Sequence, residues 1–124
     1  TMSEIYEERG LECVVNEESH LCLYINETLA RTLIGNLIKN SFIYATERSH
    51  ITVTLDEHSL RIENEGGEPL DKERVFDRFY THTSREGSTG LGLAIVRSIA
   101  THYGYKAEYD FTNNRHIFTL IFHE

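Results

Sequence analysis

The sequence predicts a single α+β domain, a two-layer sandwich in which about three helices cover a mixed sheet of about five strands. Three observations point there. Short apolar or alternating runs of strand length recur along the chain, and one long and one shorter stretch of helical periodicity interrupt them. The order of these segments lacks the strict strand-helix alternation of a doubly wound parallel sheet. With 124 residues, 40% of them hydrophobic and 26% charged, the chain can bury one core, and residues 1–124 read as one domain without an internal linker or repeat.

Residues 11–15 and 20–25 are short apolar runs on either side of the polar spacer Asn16-Glu17-Glu18-Ser19, and they read as two strands. Asn26 offers an N-cap for a long helix over residues 27–46, whose apolar face gathers Ala30, Leu33, Ile34, Leu37 and Ser41. Residues 51–55 and 60–64 form a hairpin around Asp56-Glu57-His58. The Glu65-Gly66-Gly67-Glu68-Pro69 stretch breaks regular structure, and Asp71 can cap a short helix over residues 71–80. Residues 81–89 are polar without periodicity and read as a loop. A helix over residues 91–103 follows, with Gly104 as its C-cap. Residues 106–111 and 116–122 close the sheet, turning at Asn113-Asn114.

Net charge restricts the function classes. At −8, the chain lacks the basic balance that nucleic-acid binding uses to displace phosphate counterions. Small phosphate ligands stay open, because backbone amides and a metal ion can carry phosphate charge. Cys13 and Cys22 make neither a disulfide framework nor a zinc motif and read as two core thiols in a reducing compartment. No apolar run approaches the length of a membrane span and no signal peptide opens the sequence, so the domain is expected to be cytoplasmic. The seven His residues show no metal spacing and read as surface or partly satisfied side chains. The aromatics Tyr103, Tyr105, Tyr109, Phe111, Phe118 and Phe122 read as sheet and core packing.

Three segments carry chemistry. In Gly87-Ser88-Thr89-Gly90-Leu91-Gly92 a glycine-rich loop runs into a helix, whose first amides and dipole favour an anion while glycine lets the backbone approach it. Flexible loops and close helix packing use the same residues. On the long helix, Asn36 and Asn40 lie one turn apart beside Tyr44, and an Asn carbonyl oxygen is a hard, neutral ligand suited to Mg²⁺. Side-chain hydrogen bonds at a helix edge explain the pair equally well. In the third segment, strand alternation puts Leu60, Ile62 and Asn64 on one face. Asn64 can then meet a planar ligand, with Gly66 letting a ring lie against the backbone. An inward Asn satisfied by backbone groups is the alternative.

Asn36-Leu37-Ile38-Lys39-Asn40, the Asn64 and Gly66 box, Val75-Phe76-Asp77-Arg78-Phe79-Tyr80, and Gly90-Leu91-Gly92-Leu93-Ala94-Ile95-Val96 occur in that order. Together they resemble the catalytic and ATP-binding domain of sensor histidine kinases, in the superfamily of gyrase, heat-shock chaperone, histidine kinase and MutL ATPases. The resemblance implies the Bergerat-type ATP-binding fold. It also implies roles. Asn40 would ligate Mg²⁺ and Asn36 help hold the phosphates, the two forming the catalytic pair. Tyr44 would lie beside the nucleotide, Asn64 would accept from the adenine amine, and Gly66 would complete that box. Gly90, Leu91 and Gly92 would form the hinge of an ATP lid over residues 81–89, with Phe76 and Phe79 anchoring its start.

The sequence departs from the family pattern in three places. Asn64 stands where most members carry Asp, Glu68 replaces the second glycine of that box, and Ile43 replaces a Lys or Arg. Arg85, His82 or Arg78 would supply the missing charge from the lid side. The expected partners are ATP, the dimerisation and phosphoacceptor domain of the same kinase, and a response regulator through the full-length protein. No nucleic acid is expected. The chain contains no helical His in the acceptor context, so it reads as a fragment of a larger kinase, compatible with an inner-membrane sensor. The rival readings are a degenerate nucleotide-binding or regulatory docking module without kinase activity, and an anti-sigma-factor-type serine kinase. The wording of residues 76–80 and 90–96 lies closer to the histidine kinases.

Overall fold

The computed structural model describes residues 12–17, 25–46, 48–80 and 90–122. Its elements are β1 (Glu12–Glu17), α1 (Glu27–Tyr44), β2 (His50–Leu55), β3 (Ser59–Glu65), α2 (Gly92–Tyr103), β4 (Lys106–Thr112) and β5 (Arg115–Ile121). The five strands form one mixed sheet in the order β1-β2-β3-β5-β4. β1 runs parallel to β2 with α1 between them in sequence, as a parallel pair requires a crossover, and every other pairing is antiparallel. The α+β sandwich expected from the sequence is the fold observed.

Local sequence explains most of the boundaries. Asn26 caps α1, its Oδ1 accepting from Leu29 N–H at 3.2 Å. The helix stops at Tyr44, two residues earlier than expected, because Ala45 is extended and Thr46 N–H donates to the Glu65 carbonyl at the end of β3 (2.8 Å). Gly104 ends α2 in the left-handed conformation, φ 75°, and returns its N–H to the last turn. Asn113 and Asn114 have φ of 54° and 60°, the pair of left-handed residues that a two-residue hairpin turn needs. Asp56 builds the β2–β3 turn by accepting from His58 N–H and Ser59 N–H, each at 2.8 Å.

The core lies between the helices and the sheet. Strand alternation sends Leu60, Ile62, Phe118 and Leu120 inward, where they meet Leu33 and Leu37 of α1 and Val96 and Ile99 of α2. Truncating a side chain as buried as Leu33 or Phe118 to Ala costs about 2–5 kcal/mol. Of the aromatics assigned to packing, Tyr109 and Phe118 are buried, while Tyr103, Tyr105, Phe111 and Phe122 pack against the core from its margin.

Three expectations change, and one falls outside the described residues. β1 runs through Asn16 and Glu17, which continue the ladder opposite Thr54 and Leu55, so the first half of the expected polar spacer belongs to an edge strand. The second early strand and Cys22 lie outside the described residues, apart from Ile25, which is in no regular element. Residues 71–80 are successive turns rather than a third helix. Asp71 does cap the first turn, its Oδ1 accepting from Glu73 N–H and its carbonyl from Arg74 and Val75. The run then breaks at Phe79, whose φ is 66°. Finally, the buried row of α1 is Leu33, Leu37, Asn40 and Ser41, and Ile34 is 40% exposed. The row follows i, i+4, i+7, i+8, so Asn40 sits inside the apolar stripe where a border position was expected.

Candidate functional site

Three elements converge at the end of β3. Thr46, just past α1, donates to the Glu65 carbonyl through both its N–H (2.8 Å) and its Oγ1 (3.2 Å). Asn64 Nδ2 donates to that same oxygen at 3.2 Å. This carbonyl therefore fixes the Asn64 amide with its nitrogen turned to the backbone. The Asn64 side chain is fully buried, and its Oδ1 finds no hydrogen-bond partner among the described residues. An orphaned buried acceptor costs about 1–3 kcal/mol. Such a group fits a site whose donor comes from a ligand.

Gly66 follows directly, held by its N–H on the Asn114 carbonyl at 3.1 Å. A Cβ at this position would collide with the imidazole of His116. The ring that lies against the Gly66 backbone in this structure is thus His116. Tyr44, at the last turn of α1, stands 6.1 Å from that imidazole, centroid to centroid. His116 is 2% exposed and is the register partner of Asn64. Its Nδ1 lies 2.8 Å from Tyr109 Oη, which also accepts from Leu70 N–H at 2.9 Å. Burial pushes the Tyr109 hydroxyl above the usual tyrosine range, and the Leu70 N–H bond opposes that shift. Of the two kinds of His expected, surface or partly satisfied, His116 is the buried, hydrogen-bonded kind. Strand alternation carries the signal, since His116 shares its face with Phe118 and Leu120.

The second group gathers where α1 meets α2. Asn36 Nδ2 donates back to the Thr32 carbonyl at 2.8 Å, leaving Oδ1 turned toward Gly92. A Cβ on Gly92 would stand 3.1 Å from that oxygen, so glycine leaves the Asn36 side chain its place here. Gly92 opens α2, with Leu91 at the N-cap, no side-chain cap bond and no acidic residue in the first turn. The first amides of α2 are therefore presented without a competing side-chain anion, beside Asn36. One turn further along α1, Asn40 is 8% exposed and its Nδ2 has no partner among the described residues.

The two ends of the stretch 81–89 are tied together. Phe79 N–H donates to the Gly90 carbonyl, and a Cβ on Gly90 would run into the Phe79 backbone. Gly90 has φ of 75°, so both space and conformation call for glycine. Arg97 of α2 reaches Asp77 at 3.1 Å and closes the same junction from outside. Phe76 packs at the core margin as expected of an anchor, but Phe79 is 66% exposed and contributes its backbone rather than its ring. Arg78 lies over the Phe79 ring, 5.3 Å from its centroid. Arg85 and His82 lie outside the described residues. Ile43 is buried, in keeping with its apolar character.

No three His, Cys, Asp or Glu residues come together as a metal cage among the described residues. The donor chemistry present is one of amide oxygens and the amides of a helix start, which suits a hard cation that is held mostly by phosphate oxygens and water. No helix among the described residues is long and apolar enough to cross a membrane.

Residues 25–123 match the family described as histidine kinase-, DNA gyrase B- and HSP90-like ATPases. The chain is 40% identical over 85 residues to the heme sensor protein HssS of Staphylococcus epidermidis, a match covering 64% of this chain and 19% of that protein. It is 29% identical over 121 residues to the sensor histidine kinase HprS of Escherichia coli, covering 86% of this chain and 27% of HprS. The chain thus spans about a fifth to a quarter of the length of these relatives. Among solved structures, the catalytic domain of histidine kinase ThkA superposes with a TM-score of 0.79 at 23% identity, covering 97% of this chain and 83% of that one. Full-length ShkA in complex with AMPPNP gives 0.74 at 22% identity, covering 97% of this chain and 27% of that one. With a family match across most of its length and sensor kinases as its relatives, the chain belongs to the histidine kinase-, DNA gyrase B- and HSP90-like ATPases.

Proposed function

We propose that the chain is the catalytic and ATP-binding domain of a larger two-component sensor kinase, binding Mg²⁺-ATP and presenting the γ-phosphate to a histidine on the dimerisation module. One observation carries this reading: Asn36 and the uncapped start of α2 meet at Gly92, with Asn40 one turn away. Asn36 Oδ1 lies beside Gly92 at the start of α2, and Asn40 follows Asn36 one turn along α1. In this reading Asn40 holds the metal, Asn36 and the amides at Gly90, Leu91 and Gly92 hold the phosphates, and Tyr44, Asn64 and Gly66 surround the base.

Bound Mg²⁺ would supply charge neutralisation on the transferring phosphate. The chain's own residues supply positioning. Asn64 Oδ1 gains the donor it lacks from an exocyclic amine, and the tie between Phe79 and Gly90 holds the segments before and after residues 81–89 together. Arg85, from that stretch, is proposed to add the positive charge that Ile43 cannot. Transfer then moves the phosphoryl group from ATP to a histidine nitrogen, leaving ADP. The acceptor helix and the response regulator belong to the parent protein, which we take to be a sensor kinase whose catalytic part faces the cytoplasm.

A second reading has its own observation. Buried Ile43, together with the uncharged Asn64, removes two charges from the site and favours a degenerate docking module. Calorimetric titration with a non-hydrolysable ATP analogue and Mg²⁺ separates the two. Saturable binding supports the kinase domain, and no heat at millimolar analogue rules it out.

A further inference from the structure

An asparagine that reads a purine has a weakness an aspartate does not share. Its amide presents an acceptor in one orientation and a donor in the other. With Oδ1 forward, Asn64 accepts from a base with an exocyclic amine at position 6, as in adenine. With Nδ2 forward, it donates to a base with a carbonyl there, as in guanine. Selectivity therefore depends on whatever holds the amide one way round, which here is the bond from Nδ2 to the Glu65 carbonyl.

That carbonyl belongs to the peptide that leads into Gly66, and Gly66 lies on the His116 imidazole. His116 is in turn pinned by Tyr109. The Tyr109 oxygen accepts from Leu70 N–H, so donating its own proton to His116 Nδ1 uses both functions of the hydroxyl and puts the ring proton on Nε2. The hydrogen-bonded chain Leu70–Tyr109–His116 thus ends on the backbone that orients Asn64, which is also the register partner of His116.

Resting on the nucleotide reading above, we propose that His116, held in the Nε2–H tautomer by Tyr109, is a positioning residue for base selection: it fixes the peptide of Glu65 and Gly66 so that Asn64 presents its oxygen and the site takes 6-amino purines.

The test is calorimetric titration of the chain with Mg²⁺ and the β,γ-imido analogues of ATP and GTP, alongside thermal melts to verify folding. The unmodified chain should prefer the adenine analogue by about tenfold or more. His116→Ala should bring the two affinities together, mainly by weakening the adenine analogue and strengthening the guanine one. His116→Gln, whose amide can accept from Tyr109 and still reach Gly66, should keep most of the preference. His116→Ala combined with Asn64→Asp should restore it, because an ionised carboxylate has no donor to offer guanine. A folded His116→Ala chain with undiminished selectivity overturns the proposal and leaves ATP binding standing, whereas no binding of either analogue by the unmodified chain removes the nucleotide reading itself. Should His116→Ala fail to fold, ¹⁵N NMR of the unmodified chain decides. An Nε2–H tautomer whose ring resonances shift with the adenine analogue supports the proposal, and an Nδ1–H tautomer, or binding without a shift, overturns it.

Discussion

Asn64 is fully buried with its nitrogen tied to the Glu65 carbonyl, and beside it Gly66 packs on His116, which is hydrogen-bonded through Tyr109 to Leu70. At the other end of the proposed site, Asn36 meets Gly92 and Phe79 meets Gly90, around a helix terminus whose N-cap residue Leu91 makes no side-chain cap bond. The base end is made of packed side chains that are paired except at Asn64 Oδ1. The phosphate end is made of backbone, small residues and the start of a helix. The difference follows from what each would bind: a planar, uncharged base is selected by fixed shape and hydrogen-bond pattern, while a flexible, charged triphosphate is held by amides and a metal. Substitutions that remove or crowd a packed group at the base end should therefore damage the fold as well as binding, and those at the phosphate end should damage binding alone.

The largest effect tests the phosphate end. Asn40→Ala should weaken Mg²⁺-ATP analogue binding about 100-fold and leave an affinity that no longer changes when Mg²⁺ is chelated. Calorimetry with and without a chelator reads it. A variant that keeps the Mg²⁺ dependence of the unmodified chain shows that Asn40 is not the metal ligand.

Two glycine substitutions then set the ends against each other. Gly66→Ala places a methyl group into the His116 ring and should lower unfolding free energy by about 1–3 kcal/mol, read from urea denaturation. Gly92→Ala faces only the Asn36 side-chain oxygen at 3.1 Å, which can give way, and helical alanine compensates. Stability should stay within about 0.5 kcal/mol of the unmodified chain, while affinity for the nucleotide analogue falls about tenfold because Asn36 is displaced. Equal stability losses at the two glycines would erase the distinction.

These two ends were not equally legible in the sequence. Asn36, Asn40, Gly90 and Gly92 sit in short segments with recognisable spacing, because backbone geometry demands glycine and helical period puts the two Asn residues a turn apart. The base end is assembled across strands, and pairing sets its register. His116 faces Asn64 only because β5 pairs with β3, and Tyr109 reaches both Leu70 and His116 only because β4 flanks β5. Period-two alternation marks His116 as inward, but nothing local says that it meets Gly66. The same limit explains residues 71–80. Asp71 signals a helix start correctly, yet the turn back toward Gly90 at Phe79 is dictated by a contact with a residue eleven positions later.

A smaller effect concerns charge at the base end. Asn64→Asp should raise affinity for the ATP analogue by about fivefold, since a charged acceptor bonds the amine more strongly. The gain is modest because a carboxylate at this fully buried position also pays desolvation in the empty site. A loss of affinity would mean that desolvation exceeds the stronger bond.

The smallest effect is a slope. Tyr109 holds its proton above the usual tyrosine range because it is buried, and the Leu70 N–H bond offsets this only in part. Between the ordinary value near 10 and the raised one, the unfolded chain has lost this proton while the folded chain keeps it. The folded state binds more protons there, so Tyr109 makes stability fall as pH rises through that window, and its contribution is fully present below it. Tyr105 shifts in the same direction through burial and contributes a parallel slope. Urea midpoints measured from pH 8 to 11 should therefore fall less steeply in Tyr109→Phe than in the unmodified chain, with the Tyr105 part remaining. The variant starts lower, because His116 Nδ1 and Leu70 N–H lose their shared hydroxyl. Parallel slopes in the two proteins would mean that Tyr109 titrates like an exposed tyrosine, and the base end would then be no more closed to water than the phosphate end.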